Sequence, residues 1–265
     1  SGVTWTGTFT PTDDIEDATN VISVGSSLTD SAGNAPESGA STSNYEIDTI
    51  EPVISSVVMS DSALLVGETS TLTITFSEAV TAFANEDITL ANGTLSAVSS
   101  TDSGVTWTGT FTPTDNIEDA SNVISIATTL TDSAGNAPHS GASTVNYAID
   151  TVEPVISSAT LSDSALKIGD TSTLTITFSE AVTAFDNTDI TLANGTLGTI
   201  SSADSGVTWT GSFTPTADIE DASNVITVET SLTDSSGNAP LASASTSNYT
   251  IDTVEPVISS VTLSD

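Results

Sequence analysis

Residues 103–111 read Ser-Gly-Val-Thr-Trp-Thr-Gly-Thr-Phe, and the alternation in this stretch decides the fold. Val105, Trp107, Gly109 and Phe111 fall on one face of an extended chain. Thr106, Thr108 and Thr110 fall on the other, which is the period of a strand with one side in a core. Leu72, Ile74 and Phe76 repeat the pattern with threonine between them. Working outward, Ser-Gly-Val-Thr-Trp-Thr-Gly recurs around Trp5, Trp107 and Trp209, each 102 residues from the next. Asp48, Asp150 and Asp252 keep the same spacing, as do Glu51-Pro52, Glu153-Pro154 and Glu255-Pro256, so a whole unit is copied. Solenoid repeats are too short to bury a core alone, whereas a unit of this length can.

The Asp-Thr-x-Glu-Pro segment is the natural boundary, because proline ends a ladder and the acids are hydrophilic. Residues 51–152 and 153–254 are then whole repeats. Residues 1–50 are the C-terminal half of a preceding repeat, and 255–265 the first strand of the next. A half sandwich leaves its inner face uncovered, so the leading half is expected to borrow strands or to continue a fibre. Strand-like runs in the first whole repeat cover 53–60, 70–77, 87–91, 94–99, 105–112, 122–131 and 143–150. The expected fold is all-β: tandem immunoglobulin-like Greek-key sandwiches of about seven strands each, arranged end to end as a rod. Asn92-Gly93 reads as a tight hairpin, which also accounts for the sequon-like Asn92-Gly93-Thr94 and Asn194-Gly195-Thr196. Trp107 and Tyr147, with Trp209 and Tyr249, lie on alternating strands and read as core aromatics before they read as a carbohydrate platform.

Apolar residues make up 37% of the 265, enough for a core in each unit, while aromatics are only 5%. The charge is extreme, 35 acidic residues against one Lys or Arg and a formal net charge of −34. Nucleic acid and anionic membrane surfaces both need basic side chains and are excluded as partners. Cations are the matching partners, because carboxylates repel one another unless neutralised. Cysteine is absent, so disulfides stabilise nothing here. No apolar run approaches the ~20 residues of a membrane span, so this segment is not expected to insert. The chain begins within a strand pattern and without a signal segment, as an interior piece of a longer protein would.

The chain resembles the bacterial immunoglobulin-like domains repeated in large RTX-type surface adhesins. The motifs that carry the resemblance are Thr-Phe-Ser-Glu-Ala-Val at 75–80 and 177–182, a degenerate middle segment at 88–94, Phe-Thr-Pro-Thr at 111–114, Leu-Thr-Asp-Ser-Ala-Gly-Asn-Ala at 130–137, and the Asp-Thr-x-x-Pro linker. The resemblance implies an extracellular location on a bacterial surface, a part in adhesion and biofilm, and repeats that hold a distal binding region away from the cell. It also implies Ca²⁺ at the domain junctions, where it stiffens the chain. Glu51 and Glu153 depart from the pattern, since many relatives have a small residue beside the proline.

Topology leads to the same junctions. Alternate loops of a seven-strand sandwich fall at opposite ends, so the loop with Glu78 and the loop with Asp132 and Asn136 share the end where the chain comes in. The linker brings Asp48 and Glu51 to that end. The next junction has Asp150, Glu153, Glu180, Asp234 and Asn238. Carboxylates and an amide carbonyl, completed by backbone carbonyls and water, suit the six to eight oxygens that Ca²⁺ takes. Magnesium wants a tighter octahedron, and zinc or copper want His or Cys. A simple turn over 132–136 is the competing explanation, since Asp, Ser, Gly and Asn favour turns without any ion. A secondary metal candidate is the cluster Asp115, Glu118 and Asp119, repeated as Asp218, Glu220 and Asp221 and expected at the opposite end of the sandwich.

An enzyme is not expected. His139 is the only His, with Glu37 and Leu241 one period away, and Lys167 is the only Lys, with Leu65 as its counterpart. No nucleophile, base and acid set recurs, and acids repeated in every copy beside linkers read as structure. The partners expected are neighbouring repeats of the same chain and, in a fibre, other copies of it. The alternative to an adhesin extender is a self-assembling extracellular filament or surface layer, with a carbohydrate-binding module as a third reading.

Overall fold

The computed structural model describes residues 3–264. These are strands and turns, with two single-turn 3-10 helices at Asn85–Asp87 and Asn187–Asp189. The chain is all-β. It falls into two compact units. The first runs up to Ser62 and includes Thr69–Thr112 and Ser121–Tyr147; the second takes Ala63–Glu68, Pro113–Ala120 and everything from Ala148 onward. The second unit therefore holds the whole second repeat together with three segments of the first.

In the second unit the strand Ser172–Phe178 lies between Ile156–Leu161 and Thr208–Pro215, and Gly195–Leu197 extends that sheet beyond Thr208–Pro215. Register places Leu174 opposite Gly211 and Ile176 opposite Trp209. Glu220–Asn224 runs antiparallel to Tyr249–Asp252, whose other edge takes Ala165–Lys167 in parallel. Ile190–Thr191, Thr227–Val228 and Ala244–Ser245 form a further three-stranded sheet. Leu174, Ile176, Phe178, Phe213, Ile226 and Tyr249 are buried in one cluster. Each such side chain contributes about 1.5–3 kcal/mol on burial. The Phe213 and Tyr249 rings meet edge to face at 5.5 Å, and Phe185 lies between Phe178 and Trp209 at 5.3 Å from each. Trp209 is half-buried, and its indole N–H donates to the Gly206 carbonyl at 2.9 Å. These aromatics pack within the sandwich. The parallel strand Ala165–Lys167 was not expected from sequence, since three residues are too few to show an alternation.

The first unit has the matching sheet of Ile54–Met59, Ser70–Phe76, Thr106–Pro113 and Gly93–Leu95. Its aromatic chain Phe76, Phe83, Trp107 is spaced at 5.4 Å per step, with Phe111 against Tyr147 at 5.6 Å. One expectation is corrected here. Ile88–Thr89 pairs with Ser125–Ile126, whereas Gly93–Leu95 belongs to the other sheet, so Asn92-Gly93 is a corner between sheets and not a hairpin. Asn92 takes φ 56°, its amide donates to Asn122 at 2.8 Å, and a Cβ on Gly93 would stand 2.4 Å from the Phe111 ring. Only glycine fits that crossing. The expected run 122–131 is likewise divided among Glu118–Asn122, Ser125–Ile126 and Thr131–Asp132.

In the leading half Glu16–Asn20 pairs with Tyr45–Asp48, and Ser23–Val24 with Ala40–Ser41. Its apolar face is open. Phe9, one period before Phe111, is 53% exposed where Phe111 is 0%. Residues 256–264 correspond in sequence to 52–60 and pair with no strand among the described residues.

Candidate metal centre

At the first junction the site begins with a loop that folds on its own. Asp132 lies opposite Val80 in a two-residue pairing. Its Oδ1 accepts the backbone N–H groups of Ala134, Gly135 and Asn136 at 2.8, 2.7 and 2.9 Å, and its Oδ2 accepts the Asn136 amide at 2.8 Å. Burial pushes the Asp132 carboxyl up, but these hydrogen bonds outweigh it and hold the group below its ordinary 3.8. The leading half repeats the loop, with Asp30 accepting Ala32 and Asn34 at 2.9 and 2.8 Å. Turn chemistry therefore accounts for the loop without an ion.

It does not account for Glu78. This side chain follows the strand Ser70–Phe76, and its Oε1 is shut off from solvent with no hydrogen-bond partner. Burial raises its pKa above the ordinary 4.5, and the charges of Asp132, Asp48 and Glu16 push it further the same way. Asp48, at the end of Tyr45–Asp48, presents its carboxylate from the linker side, while its backbone carbonyl accepts the Asn136 amide at 3.1 Å. One ligand atom from each of Asp48, Glu78 and Asp132 lies within 4.8 Å of the others, the one such acidic group among the described residues. Ligands bound to one calcium at 2.3–2.6 Å are at most about 5 Å apart, so these three oxygens can share a cation. All the donors are hard oxygens, and a partnerless oxygen is what such a cation would satisfy.

At the second junction Glu180 Oε1 is again buried and partnerless. Its pKa is raised by burial and then by Asp234, Asp150 and Glu118. Asp234 accepts Ser236, Gly237 and Asn238 as Asp132 accepts its own loop. Here the Ser236 hydroxyl donates to Asp150 Oδ2 at 2.5 Å.

The remaining candidates are placed differently. Glu51 is exposed and Glu153 half-buried, and neither joins a close acidic group. Asn136 and Asn238 turn their amide N–H groups to the linker carbonyls of Asp48 and Asp150. The secondary cluster is not gathered around one point. Asp115, Asp218 and Glu220 are exposed, Asp119 is half-buried, and Asp221 accepts the Asn194 amide at 2.8 Å. Sequence reasoning did not bring the fourth carboxylate to either junction: it placed Glu118, and Glu16 as its counterpart one period earlier, in the secondary cluster at the opposite end of the sandwich. Glu16 sits across from Asp48 in register and acts on Glu78, as Glu118 acts on Glu180. The far end of one repeat is the near end of the next, and that was the available signal.

The family model for the bacterial Ig-like domain matches residues 1–47, 48–149 and 150–251. The chain belongs to this family. Bacterial Ig-like repeats of this fold are typically structural, and the chain carries three of them in tandem. Among solved structures it is similar to the Yersinia pseudotuberculosis adhesin InvE at 15% identity, covering 74% of this chain with a TM-score of 0.30. The chain spans 58% of the length of the InvE chain. It is also similar to the I9–I11 tandem of titin, at 11% identity, 91% and 90% coverage of the two chains and a TM-score of 0.28. No curated protein matches. No helix among the described residues is long and apolar enough to cross a membrane.

Proposed function

We propose that these bacterial Ig-like repeats are calcium-stiffened extenders of an RTX-type surface adhesin, extracellular and mechanical in role, with no catalytic part. The observation that carries this reading is Glu78 Oε1, buried and without a partner beside the carboxylates of Asp48 and Asp132. Bound there, Ca²⁺ supplies the positive charge that lets these groups stay ionised and close. The chain's own residues do the rest. Asp48 ends the last strand of one repeat, Glu78 follows a strand of the next and Asp132 ends another, and the loop after Asp132 is held ready by its backbone amides. Carboxylates drawn to one cation convert a short linker into a stiff joint, and successive joints make a rod.

Small-angle scattering of the full chain, with calcium and with a chelator, tests this. A longer maximum dimension in calcium is expected, and identical profiles overturn the reading. Ordered fibres from the purified chain would favour the filament or surface-layer assembly instead.

A further inference from the structure

Asn238 is 4% exposed, and its side chain faces three ways. Its Nδ2 donates to Asp234 Oδ2 at 3.0 Å and to the Asp150 carbonyl at 3.1 Å. Its Oδ1 accepts the backbone N–H of Val66 at 3.1 Å, across 172 residues of sequence. Beside it Gly237 takes φ +120°, and a Cβ there would lie 3.2 Å from Leu65 Cδ1. Val66 belongs to a tight turn of the preceding repeat. That turn is closed by Glu68 N–H on the Leu65 carbonyl at 3.2 Å and by the Leu65 N–H on Glu68 Oε2 at 2.9 Å. All these residues fall within the second compact unit.

We propose that the turn 65–68 of one repeat docks on the loop 234–238 of the next as a metal-free latch, with Asn238 as its positioning residue. The surface is chemically specific. Asn238 must offer two donors and one acceptor at once, which an amide does and a carboxylate does not. An aspartate would also set a second charge against Asp234. A buried amide is costly unless its groups are bonded, and the Val66 N–H is the bond that comes from the neighbouring repeat. The second repeat carries the same turn ready-made. Lys167 N–H donates to Asp170 Oδ2 at 3.1 Å, Asp170 N–H donates to the Lys167 carbonyl at 3.0 Å, and Ile168 stands 53% exposed at the position of Val66. The latch goes beyond the calcium reading and does not depend on it. A joint stripped of its ion keeps this contact and bends less than a bare linker would.

Hydrogen exchange of the full chain in chelator tests it at one amide. Val66 is 38% exposed, so without the latch its N–H should exchange at an open-loop rate. Protection is expected, and Asn238→Ala should speed Val66 exchange about tenfold, the worth of one hydrogen bond. Asn136→Ala, which alters the equivalent loop of the other repeat, should leave Val66 unchanged. Exchange of Val66 at the unstructured rate in the unaltered chain overturns the proposal, as does indifference to Asn238→Ala. Should that variant also unprotect Ser236 and Gly237, the loop itself has failed. Leu65→Ala then decides, with faster Val66 exchange supporting the latch and no change overturning it.

Discussion

The two junctions carry the same candidate ligands, and among the positions that differ beside them, Ile50 against Val152 in the linker and Ala134 against Ser236 in the loop, only the last pair exchanges an apolar side chain for a hydroxyl. In the first, Asp48, Glu78 and Asp132 converge within 4.8 Å. In the second, the Ser236 hydroxyl occupies Asp150 Oδ2, and the corresponding three carboxylates do not meet that limit. A protein hydroxyl does for Asp150 part of what a cation would do. On the proposed calcium reading, what counts at a joint is not the number of acids but which oxygens the protein leaves unsatisfied, and in both joints the glutamate has one.

The largest effect that could break this comparison is expected from the glutamates. Glu78→Gln should abolish the calcium response of the first joint and Glu180→Gln that of the second. A site filled at a hundred times its dissociation constant adds about 2.7 kcal/mol, so each variant should lose roughly that much of the stability gained in calcium. Calorimetry with and without chelator reads it, and a full calcium gain in Glu78→Gln would remove the first joint as a site. Exchanging the differing residues sharpens the comparison further. The Ser236 bond to Asp150 must be given up or shared on metal binding, so Ser236→Ala should tighten the second site and Ala134→Ser weaken the first. About tenfold in each direction is expected, since a hydrogen bond to a charged group contributes about 1.5–3 kcal/mol and is only partly lost. Terbium luminescence titrations on the single variants would show it. Unchanged affinities in both would mean that the hydroxyl is a bystander.

Much of this was legible in the sequence, and the limits have physical causes. Leu72, Ile74 and Phe76 show their strand because alternate burial leaves a period of two, and the structure buries all three. The Asp132 and Asn136 loop was legible through turn chemistry that is local to five residues. Glu16 and Glu118 were not seen at the joints, because Glu16 is placed by its register with Asp48 and Glu118 by the pairing of Glu118–Asn122 with Tyr147–Asp150, and strand pairing leaves no mark in composition. Asn92-Gly93 misled for a related reason. A left-handed asparagine followed by glycine fits a hairpin and a sheet-crossing corner equally, and only the Phe111 ring beneath it decides. Asn238 looked like a ligand, yet its carbonyl faces Val66, a partner 172 residues away that no local pattern announces.

The pH dependence of the metal-free protein supplies the smallest and most discriminating prediction. Glu78 and Glu180 have pKa values raised above 4.5 in the folded state, so folding binds their protons more tightly than unfolding does. In chelator, stability should therefore rise as pH falls through those raised values and level off below 4.5. Asp132 works the other way, since its depressed pKa gives a contribution that is present above 3.8 and lost as pH falls further. Asp102 is held at about 2 by the Thr106 N–H and the Ser100 hydroxyl, so its share too is complete above 3.8 and fades toward 2. Thermal scans should then show a rise toward 4.5 and a fall below 3.8. Replacing both glutamates by glutamine should erase the rise and spare the fall. Asp102→Asn should make the fall slightly shallower, and Asp204→Asn should do so to the same extent, because Asp204 accepts the Thr208 N–H and the Ser202 hydroxyl at the same 2.8 Å as Asp102 does its own. Equal responses there would place the difference between the repeats at their joints; unequal ones would mean that the two sandwiches differ in themselves, and the contrast between Ala134 and Ser236 would no longer stand alone.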